Sequence, residues 1–159
     1  MSNSIVLTDV TAEHGESVYH LICELRQDKA LDIEKVKQGL QAGIHDANIY
    51  YQLAWLDNEP VGFISMQRQF HLHHARWIGE VQELVVLAKA RGYGVGKTLL
   101  AWAEAQARHI EAELTELSTS THRLDAHRFY TREGYRPTHL RFTKALASKD
   151  SPAKDGSHK

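Results

Sequence analysis

The sequence predicts an α/β protein with a central mixed sheet flanked by helices. Its 159 residues, of which 42% are apolar and 25% charged, suffice for one domain with a full hydrophobic core. Segments with the two-residue period of strands are interspersed with segments that have the period of amphipathic helices. In chain order these segments give βααβββαβαβ, without an internal repeat or a linker.

The first part of the chain predicts a strand and two helices. Residues 5–7 are a short apolar strand, and Thr11 is placed to cap a helix that continues to about Arg26. Asp32 is the expected cap of the second helix, which ends near Gly43.

A hairpin and a buried strand follow these helices. Residues 50–70 alternate between apolar and polar side chains on both sides of the turn sequence DNEP at 57–60, which predicts a β-hairpin. Residues 77–87 predict another strand. It ends in the apolar run VVL at 85–87, a pattern typical of a buried position.

The last part of the chain follows a glycine-rich segment. Apolar residues between 95 and 107 recur at helical spacing, and residues 113–118 predict a short strand. Residues 124–132 predict a helix, which Gly134 is suited to end at its C′ position. Residues 135–146 predict a closing strand.

Charge and composition exclude several classes of function. The net charge of −1, with acidic and basic residues interspersed, argues against a nucleic-acid partner. No stretch approaches the roughly 20 apolar residues of a membrane span, and no signal peptide precedes the first strand, so we expect a cytoplasmic protein without a membrane partner. The single cysteine, Cys23, excludes an intrachain disulfide framework and fits a reducing compartment.

The expected domain boundary lies near the C-terminal end. Residues 1–146 predict a single domain. Residues 147–159 contain no large apolar side chain, so they cannot bury enough surface to offset the entropy of ordering. We expect this tail to be disordered.

The segment RGYGVGKT, residues 91–98, predicts a binding site for phosphate or pyrophosphate. It joins a buried strand to a helix N-terminus, where free N–H groups and the helix dipole favour anions. A P-loop would need glycine five positions before Gly96, where Arg91 stands. A dinucleotide fingerprint needs GxGxxG rather than the GxGxG found here. A plain strand–helix turn with packing glycines is a further alternative.

Arg91, Gly94 and Gly96 also meet the pattern RxxGxG, and this segment in its context resembles the GCN5-related N-acetyltransferase superfamily. The resemblance covers residues 5–146, including a late helix that carries DAHRFY at 125–130. It implies the fold of that superfamily, in which strands 4 and 5 of the mixed sheet splay apart. It also implies acetyl-CoA as the cosubstrate.

The resemblance further implies which residues bind acetyl-CoA. Strand backbone would pair with the pantetheine arm, and the glycine segment would bind the pyrophosphate. The residues concerned are Leu84, Val85, Val86, Arg91, Gly92, Tyr93, Gly94, Val95, Gly96, Lys97 and Thr98. Arg91 and Lys97 are either pyrophosphate ligands or solvated surface cations. The sequence departs from the family pattern at two sites, since Arg123 stands where Asn is frequent and Ala88-Lys89 stands where Pro is frequent.

Acetyl transfer needs a neutral amine, donors for the thioester oxyanion and a proton for the leaving thiolate. A free alkylamine has a pKa of roughly 10, so a base is required. By resemblance, Glu80 is the general base, Tyr130 the general acid and a backbone N–H near Val86 the oxyanion donor. Glu83 is the alternative base. An unbroken strand would place Glu83 on the face opposite Glu80, whereas a β-bulge would change that.

The acceptor is suggested by a narrower resemblance. The stretch QFHLHHARWIGEVQELVV at 69–86, with LAWAE at 100–104 and TELS at 115–118, resembles the aminoalkylphosphonate N-acetyltransferases. This implies a small primary amine with a phosphonate group, such as aminomethyl- or aminoethylphosphonate. Two alternatives stay open, a general small-amine or aminoglycoside acetyltransferase and a non-catalytic CoA-binding module. The resemblance also leaves open whether the protein forms a homodimer, because superfamily members of this size are often dimers.

A dianionic acceptor needs cations or a metal near the cleft. His71 and His73 would share one face of a continuing strand, where they could ligate a divalent ion or contact phosphonate oxygens. The resemblance also leaves a divalent-metal dependence open, and a merely polar hairpin tip is the structural alternative. The candidate phosphonate contacts are Arg26, Lys29, Arg68, His73 and Arg76.

Overall fold

The computed structural model describes residues 4–26 and 30–146. The strands in these residues are β1 (Ile5–Asp9), β2 (Ile49–Leu56), β3 (Glu59–His71), β4 (Arg76–Val86) and β5 (Thr115–Leu117). The helices are α1 (Gly15–Leu25), α2 (Ile33–Ile44), α3 (Val95–His109) and α4 (Leu124–Arg132). Short 3₁₀ turns cover Ala12–His14 and Ala88–Ala90. No helix within the described ranges is long and apolar enough to cross a bilayer.

The chain divides into two compact units between residues 120 and 121. The first contains β1 to β5 with α1 to α3, and the second contains α4 and the segment that follows it. The single domain expected over residues 1–146 stays a prediction. Lys29 and the expected tail at 147–159 lie outside the described residues.

The five strands form one mixed sheet in the order β1-β2-β3-β4-β5. Neighbouring strands are antiparallel except β4 and β5, which are parallel. This parallel pairing joins only residues 79–81 to residues 115–117, so β4 continues to Val86 after β5 has ended. The predicted mixed sheet, with its fourth and fifth strands separating, is confirmed.

Local sequence explains the turn between β2 and β3 and the N-terminal cap of α2. Asp57 and Asn58 have φ angles of 51° and 64°, which two-residue type I′ hairpin turns require and which these residue types tolerate. The Asp32 carboxylate accepts hydrogen bonds from the backbone N–H of Glu34 at 2.9 Å and of Lys35 at 3.3 Å. The predicted hairpin and the predicted cap of α2 are therefore both confirmed.

Helices cover both faces of the sheet. On the face covered by α1 and α2, here called the α1–α2 face, the core consists of Val10, Val18, Leu21, Leu40, Leu53, Phe63 and Val85. The other face, here called the α3 face, packs closely on α3, because a Cβ at Gly62 would lie 2.8 Å from Val95 Cγ1 and 3.0 Å from Leu99 Cδ1. Only glycine at position 62 permits this approach.

Gly134 ends α4, as predicted. At φ 95° it forms a Schellman motif, in which the N–H of Gly134 donates to the Thr131 carbonyl and the N–H of Tyr135 donates to the Tyr130 carbonyl.

The strand predicted for residues 135–146 was wrong, because these residues have no regular secondary structure. Alternating side chains cannot make a strand without a partner that supplies ladder hydrogen bonds, and Pro137 also lacks a donor.

Candidate functional site

A β-bulge brings Glu80 and Glu83 to the same face of β4. Glu80 pairs with Gln67 of β3, and Glu83 pairs with Ser65. The β3 partners are two positions apart while the carboxylates are three apart, so β4 contains one extra residue, which is Gln82. Since paired residues share a face, both carboxylates lie on the α1–α2 face. The bulge considered from the sequence is present, and both candidate bases are available on one surface.

Glu80 lies half-buried beside polar side chains of β3. The side-chain amide of Gln69 donates a hydrogen bond of 2.8 Å to its Oε1. On the other side of β4, Glu116 of β5 is its register partner. An ionised carboxylate can accept up to four hydrogen bonds, so the contact with Gln69 leaves Glu80 able to accept a proton.

Glu83 is held more tightly by its own strand pair. Its backbone N–H donates to Ser65 Oγ at 3.0 Å, and the Ser65 hydroxyl in turn donates to its carboxylate. Ser65 is almost fully buried, at 1% exposure. Burial raises the pKa of the nearby Tyr51 phenol, and the negative charges of Glu83 and Asp46 raise it further. Glu83 is therefore anchored by a buried hydroxyl, whereas Glu80 is contacted by a half-buried amide.

The three predicted arginine contacts occupy different surroundings. Arg68 pairs with Gly79, one position away from the Gln67–Glu80 pair, so Arg68 lies on the α3 face. Its guanidinium is 3.7 Å from the centre of the Trp77 ring. Arg76 lies on the Glu80 face and donates to Glu113 at 3.3 Å. Arg26 is exposed at the end of α1. The structure therefore does not bring Arg68 to the face that carries Glu80.

The histidine pair does not form the predicted strand face. His71 is the last residue of β3, and His73 lies in the following turn with its ring stacked on His71 at 5.4 Å. His71 Nε2 is 3.2 Å from Gln69 Oε1 and 4.0 Å from the Glu116 carboxylate. Within the described parts of the chain, no three His, Cys, Asp or Glu side chains are placed to hold a metal ion. These residues do not fit a metal centre.

The free edge of β4 lies where the pantetheine arm was predicted to pair. Beyond residue 81, the described strands flank β4 only on its β3 side. The N–H of Leu87 donates to Val61 at 2.9 Å, toward the β3 side. Backbone groups alternate in direction along a strand, so the N–H groups of Val86 and Leu84 point to the free edge. This edge offers backbone donors and acceptors to an extended ligand.

The N-terminus of α3 presents backbone N–H groups to solvent. Gly94 is the N-cap at φ 84°, without a side-chain cap, and Gly92 has φ 89°. The first N–H of the described helix to find an intrahelical partner is that of Thr98, which donates to Gly94 at 3.0 Å. Four N–H groups, those of residues 94–97, can therefore converge on an anion. Arg91 and Lys97 add exposed positive charge nearby.

Tyr130 belongs to α4 in the second unit. Its ring contacts those of Phe129 and Tyr135 at centroid distances of 5.3 Å and 6.1 Å. Burial raises the pKa of the Tyr130 phenol, and the positive charge of Arg123 opposes that shift. The phenol therefore keeps its proton at neutral pH, as a proton donor must.

Sequence reasoning missed the polar side chains that surround the two carboxylates. Ser65, Gln67, Gln69 and His71 alternate along β3 and so lie on one face. The signal was present in the sequence, since polar residues at every second position interrupt a strand whose other positions are apolar, aromatic or basic. Only their pairing with Glu80 and Glu83 shows that this stripe borders the candidate base.

Comparison with known proteins connects these features with one family. The profile of the acetyltransferase (GNAT) family matches residues 15–135. Aminoalkylphosphonate N-acetyltransferase of Salmonella typhimurium is 56% identical over 140 residues, which cover 88% of this chain and 90% of that protein. An uncharacterised N-acetyltransferase of Bacillus subtilis is 35% identical over 126 residues, covering 75% of this chain and 81% of that protein.

Solved structures share the fold at lower identity. A protein from Bacillus halodurans, described as a transcriptional regulator, superposes with a TM-score of 0.82 at 21% identity, covering 90% of this chain and 100% of that one. An aminoglycoside N-acetyltransferase in complex with CoA superposes with a TM-score of 0.82 at 14% identity, covering 92% of this chain and 98% of that one. The family profile and the 56% identical relative show that the chain belongs to the acetyltransferase (GNAT) family and that it is an N-acetyltransferase.

Proposed function

We propose that the chain transfers the acetyl group of acetyl-CoA to the primary amine of a small aminoalkylphosphonate. The observation that carries this proposal is the 56% identity to the Salmonella enzyme of that name, over nine-tenths of its length. The carboxylate pair on β4 supports it, because acetyl transfer to an amine requires a base.

Glu80 is the proposed base. It accepts a proton from the acceptor ammonium, directly or through a water, and the neutral nitrogen then attacks the carbonyl carbon of the thioester. The developing oxyanion accepts a hydrogen bond from a backbone N–H near Val86, at the free edge of β4. Glu83 is the alternative base. Its hydrogen bonds with Ser65 favour a supporting role.

Tyr130 is the proposed acid. The nitrogen of the tetrahedral intermediate gives its surplus proton to water, and when the intermediate collapses, the C–S bond breaks and the sulfur leaves as a thiolate. The Tyr130 phenol then gives its proton to that sulfur, free coenzyme A departs, and the phenolate takes a proton back from water. A phenol suits this step because its pKa, raised by burial, keeps it protonated at neutral pH.

Backbone groups supply most of the proposed acetyl-CoA site. The free edge of β4 at 84–86 pairs with the pantetheine arm, and the N–H groups of residues 94–97 bind the pyrophosphate. Arg91 and Lys97 add long-range attraction for the anionic coenzyme. Tyr93, which is 49% exposed, completes the predicted coenzyme surface.

Three basic side chains are the proposed contacts of the phosphonate. Arg76 is the first candidate, since it lies on the Glu80 face beside His71, its register partner in β3. His73 and Arg26 are the others. Arg68 is left out, because it lies on the opposite face of the sheet. No step of the proposal uses a metal ion.

The test is an acceptor panel in which thiol release from acetyl-CoA is measured. Aminomethyl- and aminoethylphosphonate should give the highest kcat/KM, ahead of polyamines, amino acids and aminoglycosides. Tyr130→Phe should lower kcat by about 10²-fold or more while the Kd of acetyl-CoA changes little. Tyr50→Phe, which removes a phenol hydroxyl from the α3 face of β2, serves as the matched control and should leave kcat unchanged.

Each contrary result has a distinct meaning. A flat profile across all amines would favour a general small-amine acetyltransferase. A preference for aminoglycosides would overturn the phosphonate assignment. Assays with and without a chelator decide the metal dependence, and complete loss of activity with chelator would mean that a divalent ion takes part in the transfer.

A further inference from the structure

Three glutamine side chains form an interlocked network next to Glu80. Gln67 Oε1 accepts from the amide nitrogen of Gln69 at 3.1 Å and from that of Gln82 at 2.9 Å. Gln69 uses its second amide hydrogen for Glu80 Oε1 at 2.8 Å. Both donor positions of Gln69 are therefore occupied, one by a neighbouring amide and one by the carboxylate.

The chemistry of the carboxylate determines the orientation of this network. An ionised carboxylate can only accept, so the amide nitrogen of Gln69, and not its oxygen, must face Glu80. The Gln69 oxygen then faces His71 Nε2 at 3.2 Å, which must carry a hydrogen there. A continuous chain of donors thus runs from His71 through Gln69 to Glu80.

We propose that Gln69 is a positioning residue that holds the Glu80 carboxylate for proton transfer. The inference rests on the proposed function, with Glu80 as the base. Gln69 fixes one carboxylate oxygen, Oε1, and leaves Oε2 to take the proton of the acceptor amine. A glutamate side chain has several rotatable bonds, so an anchor on one oxygen reduces the rotamer freedom that must be lost at each turnover.

The position of Gln69 supports a role beyond packing. It is half-buried on β3 and pairs with Ile78, two positions before Glu80 on the neighbouring strand, so its side chain reaches Glu80 diagonally. Gln82, the bulge residue of β4, donates a hydrogen bond to the side-chain oxygen of Gln67. The bulge that turns Glu83 to this face therefore also supplies the third amide of the network.

Gln69→Glu and Gln69→Leu test the proposal on the full chain. Gln69→Glu places a second carboxyl group at hydrogen-bond distance from Glu80, and two such groups resist double ionisation. We expect the acid limb of the kcat/KM profile to move to higher pH by about one unit. Gln69→Leu should lower kcat about tenfold, while the KM for acetyl-CoA stays within twofold. Gln106→Glu on α3, half-buried on the other face, is the matched control and should leave the profile unchanged.

A readout without turnover keeps the proposal separate from the identity of the acceptor. In Gln69→Glu the carboxyl groups at positions 69 and 80 titrate as a coupled pair, and the higher of their two midpoints, followed by NMR, should exceed the single midpoint at position 80 in the wild type. An unchanged midpoint, or a wild-type pH profile and kcat in a folded Gln69 variant, would overturn the proposal. If the wild type acetylates another amine instead of phosphonates, the proposed function fails while the same profiles, measured with that amine, still decide the role of Gln69.

Discussion

The glycine segment at 91–98 and the carboxylate face of β4 form their candidate sites in different ways. The glycine segment offers backbone N–H groups from consecutive residues at the start of α3. The carboxylate face combines side chains of β3, β4 and β5 that are up to about fifty positions apart in the chain. The first site depends on local backbone conformation, and the second depends on strand register.

This difference determines how each region responds to substitution. A backbone site tolerates changes of side chain but not of φ, so its sensitive positions are the glycines at positive φ. A side-chain site tolerates little change of the catalytic group itself, and it also depends on the neighbours that orient that group. Four substitutions separate these two kinds of sensitivity, in order of decreasing effect.

Glu80→Gln should produce the largest loss. Removing a general base is expected to lower kcat/KM by about 10²–10⁴-fold, while the Kd of acetyl-CoA stays the same because the backbone site is intact. Steady-state kinetics and calorimetric binding measure the two quantities. Glu83→Gln is the matched control on the same face, and we expect a smaller loss from it. A larger loss from Glu83→Gln would transfer the role of base to Glu83.

Gly43→Ala should disturb the carboxylate face from α2. A Cβ at position 43 would overlap the Tyr51 hydroxyl, so the Tyr51 ring, whose phenol pKa is raised by burial and by the Glu83 charge, must move. We expect the free energy of unfolding to fall by about 1–3 kcal/mol, measured by urea denaturation. In the same helix, a Cβ at Gly39 would meet no atom within 4 Å, so Gly39→Ala should raise the free energy of unfolding by about 0.5–1 kcal/mol. Equal effects of the two substitutions would contradict the close contact with Tyr51.

Gly94→Ala should weaken the backbone site. Alanine at φ 84° costs about 1–2 kcal/mol, and a loop that relaxes to avoid this strain loses the alignment of its N–H groups. We expect the Kd of acetyl-CoA to rise about tenfold, while the KM of the acceptor changes little. Gly134→Ala at φ 95° carries the same backbone strain in the second unit, and it should leave the Kd unchanged.

Lys97→Met should have the smallest effect. Lys97 is exposed, so its charge is screened by solvent, and we expect the Kd of acetyl-CoA to rise only about two- to fivefold at low salt. The difference from wild type should disappear near 1 M salt, where screening extends to about 3 Å. A salt-independent loss of tenfold or more would mean that the lysine makes a direct, desolvated contact.

Much of the fold could be predicted from local sequence. The Asp32 cap, the Asp57-Asn58 turn and the Gly134 helix end each depend on the chemistry of one or two residues, and all three were predicted. The strand at 135–146 could not be predicted correctly, because a strand depends on a partner from any part of the chain. Leu140 and Phe142, at 82% and 88% exposure, have the composition of a strand without its pairing.

The candidate site was predicted in part. Glu80, Glu83 and the glycine segment were identified as candidates, but Ser65, Gln67 and Gln69 were not, because the strand pattern of β3 does not reveal which β4 residue each one faces. Arg68 was grouped with Arg76 by proximity in sequence. The register places the two on opposite faces of the sheet. A shift of one position reverses the face of a side chain, and sequence alone does not specify that shift.

Features that depend on short-range chemistry follow from the sequence alone. These are the glycines at positive φ before α3, the apolar period of α3, the Asp32 cap of α2 and the Gly134 end of α4. The bulge at Gln82, which turns Glu83 to the face of Glu80, and the contact of Gln69 with the proposed base become visible only in the folded sheet. The physical reason is that backbone conformation is set by neighbouring residues, whereas strand register is set by pairing across the whole sheet.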